Sequence, residues 1–155
     1  MPGKNGTGRI LEGERQVVIT PVDSFESVVA VDGKGRLSLT DGPSDKTLFV
    51  LVPVGEGKHF IRTAKAGESG EPACMGLREG GGAAKVVAAA CDASRSGQRF
   101  TFEAGKPRDG RPTYAIGAQG GLHLRADRSG LVAVRGAGSS FTLADNGAAP
   151  AGPGD

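Results

Sequence analysis

The sequence predicts an all-β domain of twelve short strands arranged in three sets of four. Composition is the first reason: the 155 residues include 27 glycines and 9 prolines, but only 6 phenylalanines, 1 tyrosine and no tryptophan. Such a composition favours many turns over long helices. The second reason is the spacing of the apolar residues, which fall in short runs bounded by turn residues, as β-strands do.

The first set contains the clearest strand pattern. Residues 36–40 alternate apolar and polar side chains with period two, which is typical of a strand with one buried face. Pro21 ends the first run, residues 16–20, because proline cannot donate a ladder hydrogen bond. Asp32-Gly33, after the second run, is a hairpin turn pair. The four predicted strands of this set are residues 16–20, 27–31, 36–40 and 47–54.

The second set contains both cysteines and an alanine-rich segment. Residues 85–91 favour a helix on propensity alone, because alanine is the best helix former. Three glycines precede this segment and a polar turn follows it, which leaves too few residues for a stable helix, so we predict a strand. The four predicted strands of this set are residues 59–64, 73–78, 85–91 and 98–104.

The third set follows a basic loop, GKPRDGRP, at residues 105–112. Proline, glycine and charged residues dominate this loop, so we expect it to project into solvent. The four predicted strands of this set are residues 113–116, 121–125, 131–135 and 140–143.

Shared positions relate the three sets to one another. Each first strand contains an isoleucine and each fourth strand a phenylalanine, and we expect these side chains in the core. They are Ile19, Ile61 and Ile116, and Phe49, Phe100 and Phe141. A repeat of about 40 to 55 residues also occurs in propellers, but propellers need at least about four blades. Three four-stranded units close instead as a β-trefoil, a six-stranded barrel capped by three hairpins, which leaves no exposed sheet edge.

The resulting prediction is one β-trefoil domain at residues 15–146, made of three four-stranded pseudo-repeats. The units are about 15–58, 59–104 and 105–146. Residues 1–14 look like a flexible N-terminal segment, and the low-complexity residues 147–155 look like a disordered tail.

Charge and hydropathy exclude two classes of partner. The chain has 19 basic and 17 acidic residues, a net charge of +2, and the two signs alternate along it. A nucleic-acid-binding protein concentrates basic residues on one face, so we expect no nucleic-acid partner. No apolar run reaches the roughly 18 to 20 residues that cross a bilayer, so we expect no membrane insertion.

The N-terminal residues show no apolar h-region, so either the protein is cytosolic or the chain is a mature form. Cys74 and Cys91 lie 17 positions apart without nearby histidines, which excludes a CxxC motif and a zinc shell. Two interpretations of this cysteine pair remain: a disulfide, or two buried free thiols. A disulfide would indicate an oxidising compartment and hence secretion.

Residues 59–104 resemble one repeat of the ricin-type β-trefoil lectins. The order is an Ile-Arg strand with Ile61, a strand with Cys74, a strand ending at Cys91, and then Gln98-Arg99-Phe100. Phe100 stands where that family has the tryptophan of its Gln-x-Trp signature. The resemblance implies a Cys74–Cys91 disulfide, because the paired cysteines of a repeat are bonded in that family.

The resemblance also implies a carbohydrate partner, but the sugar-contact residues differ. That family carries an acid two places after the first cysteine, where this chain has Gly76, and the strand alignment offers Ala30 and His123 in the other units. An aromatic platform on the third strand is also missing from residues 86–90. The candidate ligand residues are Asp92 and Gln98 in the middle unit and Asp127 and Asn146 in the third, although Gln98 also fits a satisfied turn residue.

No motif in the sequence indicates catalysis, a cofactor or a metal site. His59 and His123 fit half-buried strand residues, and no nucleophile motif accompanies them. We therefore predict a monomeric, non-catalytic binding module with degenerate sugar sites. The alternative is a protein-binding trefoil, such as a protease inhibitor, whose exposed loop presents Lys106, Arg108 and Arg111 to a trypsin-like pocket; the same loop also fits a solvated linker.

Overall fold

The computed structural model describes residues 10–22, 27–32, 35–41, 45–64, 72–78, 84–92, 94–127 and 130–148. Within these ranges the chain forms twelve β-strands and three short 3-10 turns, which confirms the all-β prediction. No helix in the described part is long and apolar enough to cross a membrane. The strands are β1 (Arg15–Pro21), β2 (Val28–Val31), β3 (Leu37–Thr40), β4 (Phe49–Pro53), β5 (His59–Thr63), β6 (Ala73–Arg78), β7 (Ala84–Ala90), β8 (Thr101–Ala104), β9 (Tyr114–Gly117), β10 (His123–Asp127), β11 (Gly130–Val134) and β12 (Ser140–Ala148).

Six of these strands form a closed ring. β1 pairs with both β4 and β12, β4 pairs with β5, and β9 pairs with both β8 and β12. The ring closes between β5 and the start of β8, where His59 and Phe100 exchange backbone hydrogen bonds of 2.8 and 2.9 Å. Closure leaves these strands without a free edge for pairing with another chain.

Three hairpins, β2–β3, β6–β7 and β10–β11, pack against one another outside the ring. β11 pairs with β7, and a bridge between Arg36 and Val87 joins the first hairpin to β7. Gly35 makes that approach possible: its φ is +81°, and a Cβ there would collide with the carbonyl oxygen of Ala88. Only glycine meets both requirements without strain.

The core lies inside the ring and under the hairpins. The predicted core positions are confirmed: the three phenylalanines are 0% exposed and the three isoleucines at most 1%. Burial of each of these side chains stabilises the fold by about 1.5 to 3 kcal/mol. These residues are Phe49, Phe100 and Phe141, and Ile19, Ile61 and Ile116.

The alanine-rich segment is a strand, as predicted, but some boundaries differ. Gln98 lies in the 3-10 turn Ser96–Gln98 rather than at the start of a strand. Ile10, inside the segment predicted to be a flexible lead-in, is 3% exposed and packs in the core because its side chain is apolar. β12 extends to Ala148, over the first two residues of the predicted tail. Residues 1–9 and 149–155 lie outside the described residues.

Candidate functional site

A cleft of about 420 Å³ lies beside the β6–β7 hairpin. Two adjacent strands and the connection that leads into β8 form its walls, so residues far apart in sequence meet there. We call it the β6–β7 cleft. Its lining residues are Gly76, Leu77 and Arg78 from β6, Val87 and Ala89 from β7, and Arg95, Gly97 and Gln98 from the connection.

A disulfide fixes the hairpin beside this cleft. Cys74 lies on β6, fully buried, and is bonded to Cys91, which directly follows β7. The prediction of this bond is confirmed. Because β6 and β7 pair in register from Ala73 to Arg78, the disulfide and the ladder together hold one wall of the cleft in place.

Gln98 connects the loop to the hairpin through its side-chain amide. It is 3% exposed; its Oε1 accepts a 2.8 Å hydrogen bond from the Asp92 backbone N–H, and its Nε2 donates a 3.0 Å bond to the Ala90 carbonyl oxygen. Both ends of the amide are therefore engaged by main-chain groups. Gln98 lines the cleft, and its hydrogen bonds are those of a structural turn residue.

The same side chain explains the glycine at position 76. A Cβ on Gly76 would lie 2.9 Å from the Gln98 Cγ, and Gly76 itself is buried. Real Cβ contacts are not this short, and Gln98 is held at both ends, so it cannot move aside without breaking hydrogen bonds. The acid that ricin-type repeats carry at this place therefore has no room here.

Asp92 lies at the edge of the connection and is exposed. Its Oδ1 accepts hydrogen bonds from the Ser94 backbone N–H at 2.9 Å and the Ser94 hydroxyl at 2.7 Å. These bonds, with a smaller contribution from the Arg95 charge, lower the pKa of the Asp92 carboxyl below its ordinary value of 3.8. Asp92 and Gln98, predicted as a pair, are brought together by the backbone bond between them.

Asp127 and Asn146, the third-unit candidates, lie on strands that are not hydrogen-bonded to each other. Asp127 ends β10, where its backbone pairs with Gly130, and its side chain lies outside the described part. Asn146 is exposed on β12. No contact between the two supports a shared site in the described residues.

Arg78 and Arg95 are the cleft residues that sequence reasoning missed. Both are exposed and line the cleft from different elements, and no acidic or aromatic side chain is among the described lining residues. A signal existed: Arg95 lies in the polar turn between two strands of one unit, and Arg78 ends the strand that this turn faces. Without the packing of the turn on the hairpin, their proximity could not be recognised.

The basic loop between β8 and β9 is exposed along residues 105–112, as predicted. Arg108 and Arg111 exchange two backbone hydrogen bonds of 2.9 Å. Asp109 and Gly110 between them have φ values of 53° and 77°, so the tip is a tight type I′ turn. Thr113, 2% exposed, supports its base by donating to the Lys106 carbonyl oxygen at 2.9 Å.

The two histidines have structural surroundings. His59 Nε2 lies 2.7 Å from the Leu11 carbonyl oxygen, and its ring meets Phe102 edge-on at 5.5 Å. His123 Nε2 lies 3.9 Å from a Glu103 oxygen. Across the ranges that the structure describes, no three His, Cys, Asp or Glu side chains come together as a metal site requires.

No family model matches the chain. No curated protein matches it by sequence.

Solved structures show what the fold is. The designed 3-fold symmetric protein ThreeFoil matches with a TM-score of 0.66 and 16% identity over 84% of this chain and 99% of that one. The BEL β-trefoil matches with a TM-score of 0.66 and 15% identity over 85% and 93%. The Polyporus squamosus lectin, solved bound to the human-type influenza-binding epitope Neu5Aca2-6Galb1-4GlcNAc, matches with a TM-score of 0.64 and 14% identity. The match covers 84% of this chain and 49% of that lectin, about half its length.

The chain is therefore all-β with a β-trefoil fold, as the sequence predicted. At identities of 13–17% the likeness defines the fold and leaves the ligand to be argued from the site.

Proposed function

We propose that this protein is a non-catalytic β-trefoil module that binds carbohydrate in the β6–β7 cleft. The observation that carries the proposal is the position of the cleft, inside the unit with the lectin-like cysteine pair and Gln-x-aromatic frame. A volume of about 420 Å³ falls in the usual range of small-molecule sites. The sugar complex of the Polyporus squamosus lectin, a structural neighbour, supports saccharides as the ligand class.

The architecture we propose is a twelve-stranded trefoil of three units, about 15–58, 59–104 and 105–146. The ring of six strands and the three mutually packed hairpins support this division. Each unit contributes one hairpin and two ring strands. The proposal assigns the primary site to the middle unit and leaves Asp127 and Asn146 as secondary candidates in the third.

Each predicted ligand residue has a different part in the proposed site. The Gln98 amide fixes the connection, so its contribution is to hold the cleft open. The exposed Asp92 carboxylate lies beside that connection and offers an acceptor for sugar hydroxyls, in addition to its bonds with Ser94. Leu77 and Val87 supply apolar wall.

The disulfide supports secretion as part of the proposal. Disulfides such as Cys74–Cys91 persist in oxidising compartments and are rare in the cytosol. A monomer binding glycans outside the cell is the state we propose.

Glycan-array screening of the full chain with its disulfide intact tests the function. We expect retention of at least one glycan class and binding in the millimolar to micromolar range, typical of shallow sites. Backbone amide NMR then locates the site: shifts should concentrate at residues 76–78 and 94–98. An array without binding at millimolar glycan, or shifts confined to another face, would overturn the proposal.

Protein binding through the 105–112 loop is the second candidate. The exposed tip with Lys106, Arg108 and Arg111 favours it. The left-handed backbone at Asp109 and Gly110 argues against insertion as an extended segment, which a protease cleft requires. An inhibition assay with trypsin decides: inhibition that Arg108→Ala and Arg111→Ala abolish supports this candidate, and cleavage or no inhibition excludes it.

A further inference from the structure

We propose that the β6–β7 cleft selects anionic saccharides, with Arg78 and Arg95 binding a carboxylate or sulfate group on the sugar. This inference rests on the proposed carbohydrate-binding function and specifies its ligand class. The two guanidinium groups take the place of the acid and the aromatic platform that orient neutral sugars in ricin-type repeats.

The two arginines approach the cleft from independent elements. Arg78 is the last residue of β6, and Arg95 belongs to the connection that Gln98 ties to the hairpin. Both side chains are exposed, and neither has an ion-pair partner within 4.0 Å among the described residues. Their hydrogen-bond donors are therefore accessible to a ligand in the cleft.

The lining chemistry suits an anion better than a neutral ring. A neutral sugar is oriented by carboxylate acceptors and by stacking on an aromatic face, and no described lining residue supplies either. Arginine presents a planar fork that matches the oxygens of a carboxylate or a sulfate in pairs. Asp92, the acid beside the connection, is not among the lining residues, and its Oδ1 accepts both hydrogen bonds from Ser94.

A second cleft differs because its lining includes an acid. It measures about 310 Å³, lies where the three hairpins meet, and has an acid in its wall: Asp32 Oδ2 lies 3.0 Å from Arg36 Nε. The charge of Arg36 is thus balanced within the protein, and Lys85 is the remaining cation in this lining. The β6–β7 cleft, with two arginines and no acid among its described lining residues, has the larger net positive charge in its lining of the two clefts.

The test compares three ligands that share one backbone: N-acetyllactosamine, its sialylated derivative and its sulfated derivative. Isothermal titration of the full chain measures each affinity at low and at physiological salt. We expect both acidic derivatives to bind about tenfold or more tightly than the neutral parent, because charge-assisted hydrogen bonds are about twice as strong as neutral ones. The two derivatives separate a carboxylate from a sulfate as the preferred group.

Three double variants locate the effect. Arg78→Gln/Arg95→Gln should abolish the preference for the acidic derivatives, and Arg78→Lys/Arg95→Lys should retain part of it, because charge remains but the fork is lost. Arg108→Gln/Arg111→Gln makes the same change of charge at the exposed turn and should leave the preference intact. All four positions are exposed, and circular dichroism confirms that each variant is folded.

The outcomes separate this inference from the proposed function. If the neutral parent binds in the cleft as tightly as its acidic derivatives, the module is a lectin and the anionic preference is wrong. If no saccharide binds at all, the proposed function fails together with its ligand class. If the turn variant loses acidic binding as strongly as the cleft variant, the attraction is general charge and the assignment to Arg78 and Arg95 is overturned.

Discussion

The middle and third units hold the connection before their last strand against the hairpin in different ways. In the middle unit a side chain makes the link: the Gln98 amide bonds to the backbone at Ala90 and Asp92, over the space that Gly76 leaves. In the third unit the main chain makes it: Ser139 N–H donates to the Leu124 carbonyl oxygen at 3.0 Å.

In the third unit, the short side chain of Ser139 makes a second hydrogen bond between the connection and β10. The Ser139 Oγ accepts a 3.0 Å bond from the Ala126 backbone N–H. Gly138 lies so close to the Leu124 carbonyl oxygen that a Cβ there would collide with it. Direct contact of this kind brings the connection down onto β10.

The difference shows how the middle unit acquires the β6–β7 cleft. A glutamine spans from the connection to the hairpin edge, and the β6–β7 cleft lies beside it with both arginines in its wall. A disulfide braces the middle hairpin as well, whereas the third unit contains no cysteine. The proposed ligand site therefore depends on the Gln98 side chain and on a disulfide, neither of which has a counterpart in the third unit.

Removing the Cys74–Cys91 disulfide has the largest expected effect on the free energy of unfolding. The variant Cys74→Ala/Cys91→Ala opens a crosslink between residues 17 positions apart, which in the chain-entropy model costs about 3 kcal/mol. Urea unfolding should show this loss, with a Tm lower by about 6 to 12 °C. Hydrogen exchange should accelerate most at β6 and β7 and least at β10 and β11. Reduced wild-type protein is the control; equal stability of oxidised and variant chains would contradict the prediction.

Removing the Gln98 side chain should lower the free energy of unfolding by less. Gln98→Ala truncates a buried side chain and removes two part-buried hydrogen bonds, to the Asp92 N–H and the Ala90 carbonyl oxygen, and we expect a loss of about 2 kcal/mol in the free energy of unfolding. Ser139→Ala removes a single half-buried acceptor and should cost about 1 kcal/mol. Chemical denaturation of both variants measures the difference. Equal losses would show that the two links are equivalent despite their different chemistry.

The smallest effect concerns Asp92. Hydrogen bonds from Ser94 lower its pKa, so an NMR titration should place the carboxyl below 3.8, and Ser94→Ala should raise it towards that value. A lowered pKa in the folded chain contributes stability above the unfolded pKa, and this contribution is lost as the pH falls through the folded value. Ser94→Ala should therefore be less stable than wild type at neutral pH and indistinguishable from it well below pH 3.8. A difference that is independent of pH would refute the assignment.

Local sequence patterns predicted much of the fold. The alternation at residues 36–40 and the turn pairs around it depend on neighbours in sequence, and β3 lies at Leu37–Thr40. The repeated phenylalanines predicted the core because burial follows the apolar character of a residue and its place in the repeat. The middle unit predicted the disulfide through its resemblance to a known repeat.

The cleft depended on distances that sequence does not contain. Gln98 was recognised as part of a motif, but the two backbone groups that it bonds are reached only by folding the turn back on the hairpin. Arg78 and Arg95 approach one space because of that same fold. Gly35 and Gly130 lie against the backbone carbonyl oxygens of Ala88 and Leu37, and these close approaches follow only from how the hairpins meet.

The pairing of β1 with β12 has a mechanical consequence. Arg15, where the first strand begins, is opposite Ala148, where the last strand ends, and the Arg15–Asp145 ion pair at 3.0 Å lies at the same end of this ladder. Tension applied to both ends would load the hydrogen bonds one after another, in unzipping, rather than all together in shear. The adjacent ends also mean that a short linker could join them and new ends could be opened at the exposed turn of residues 108–111, with the strand order around the ring unchanged.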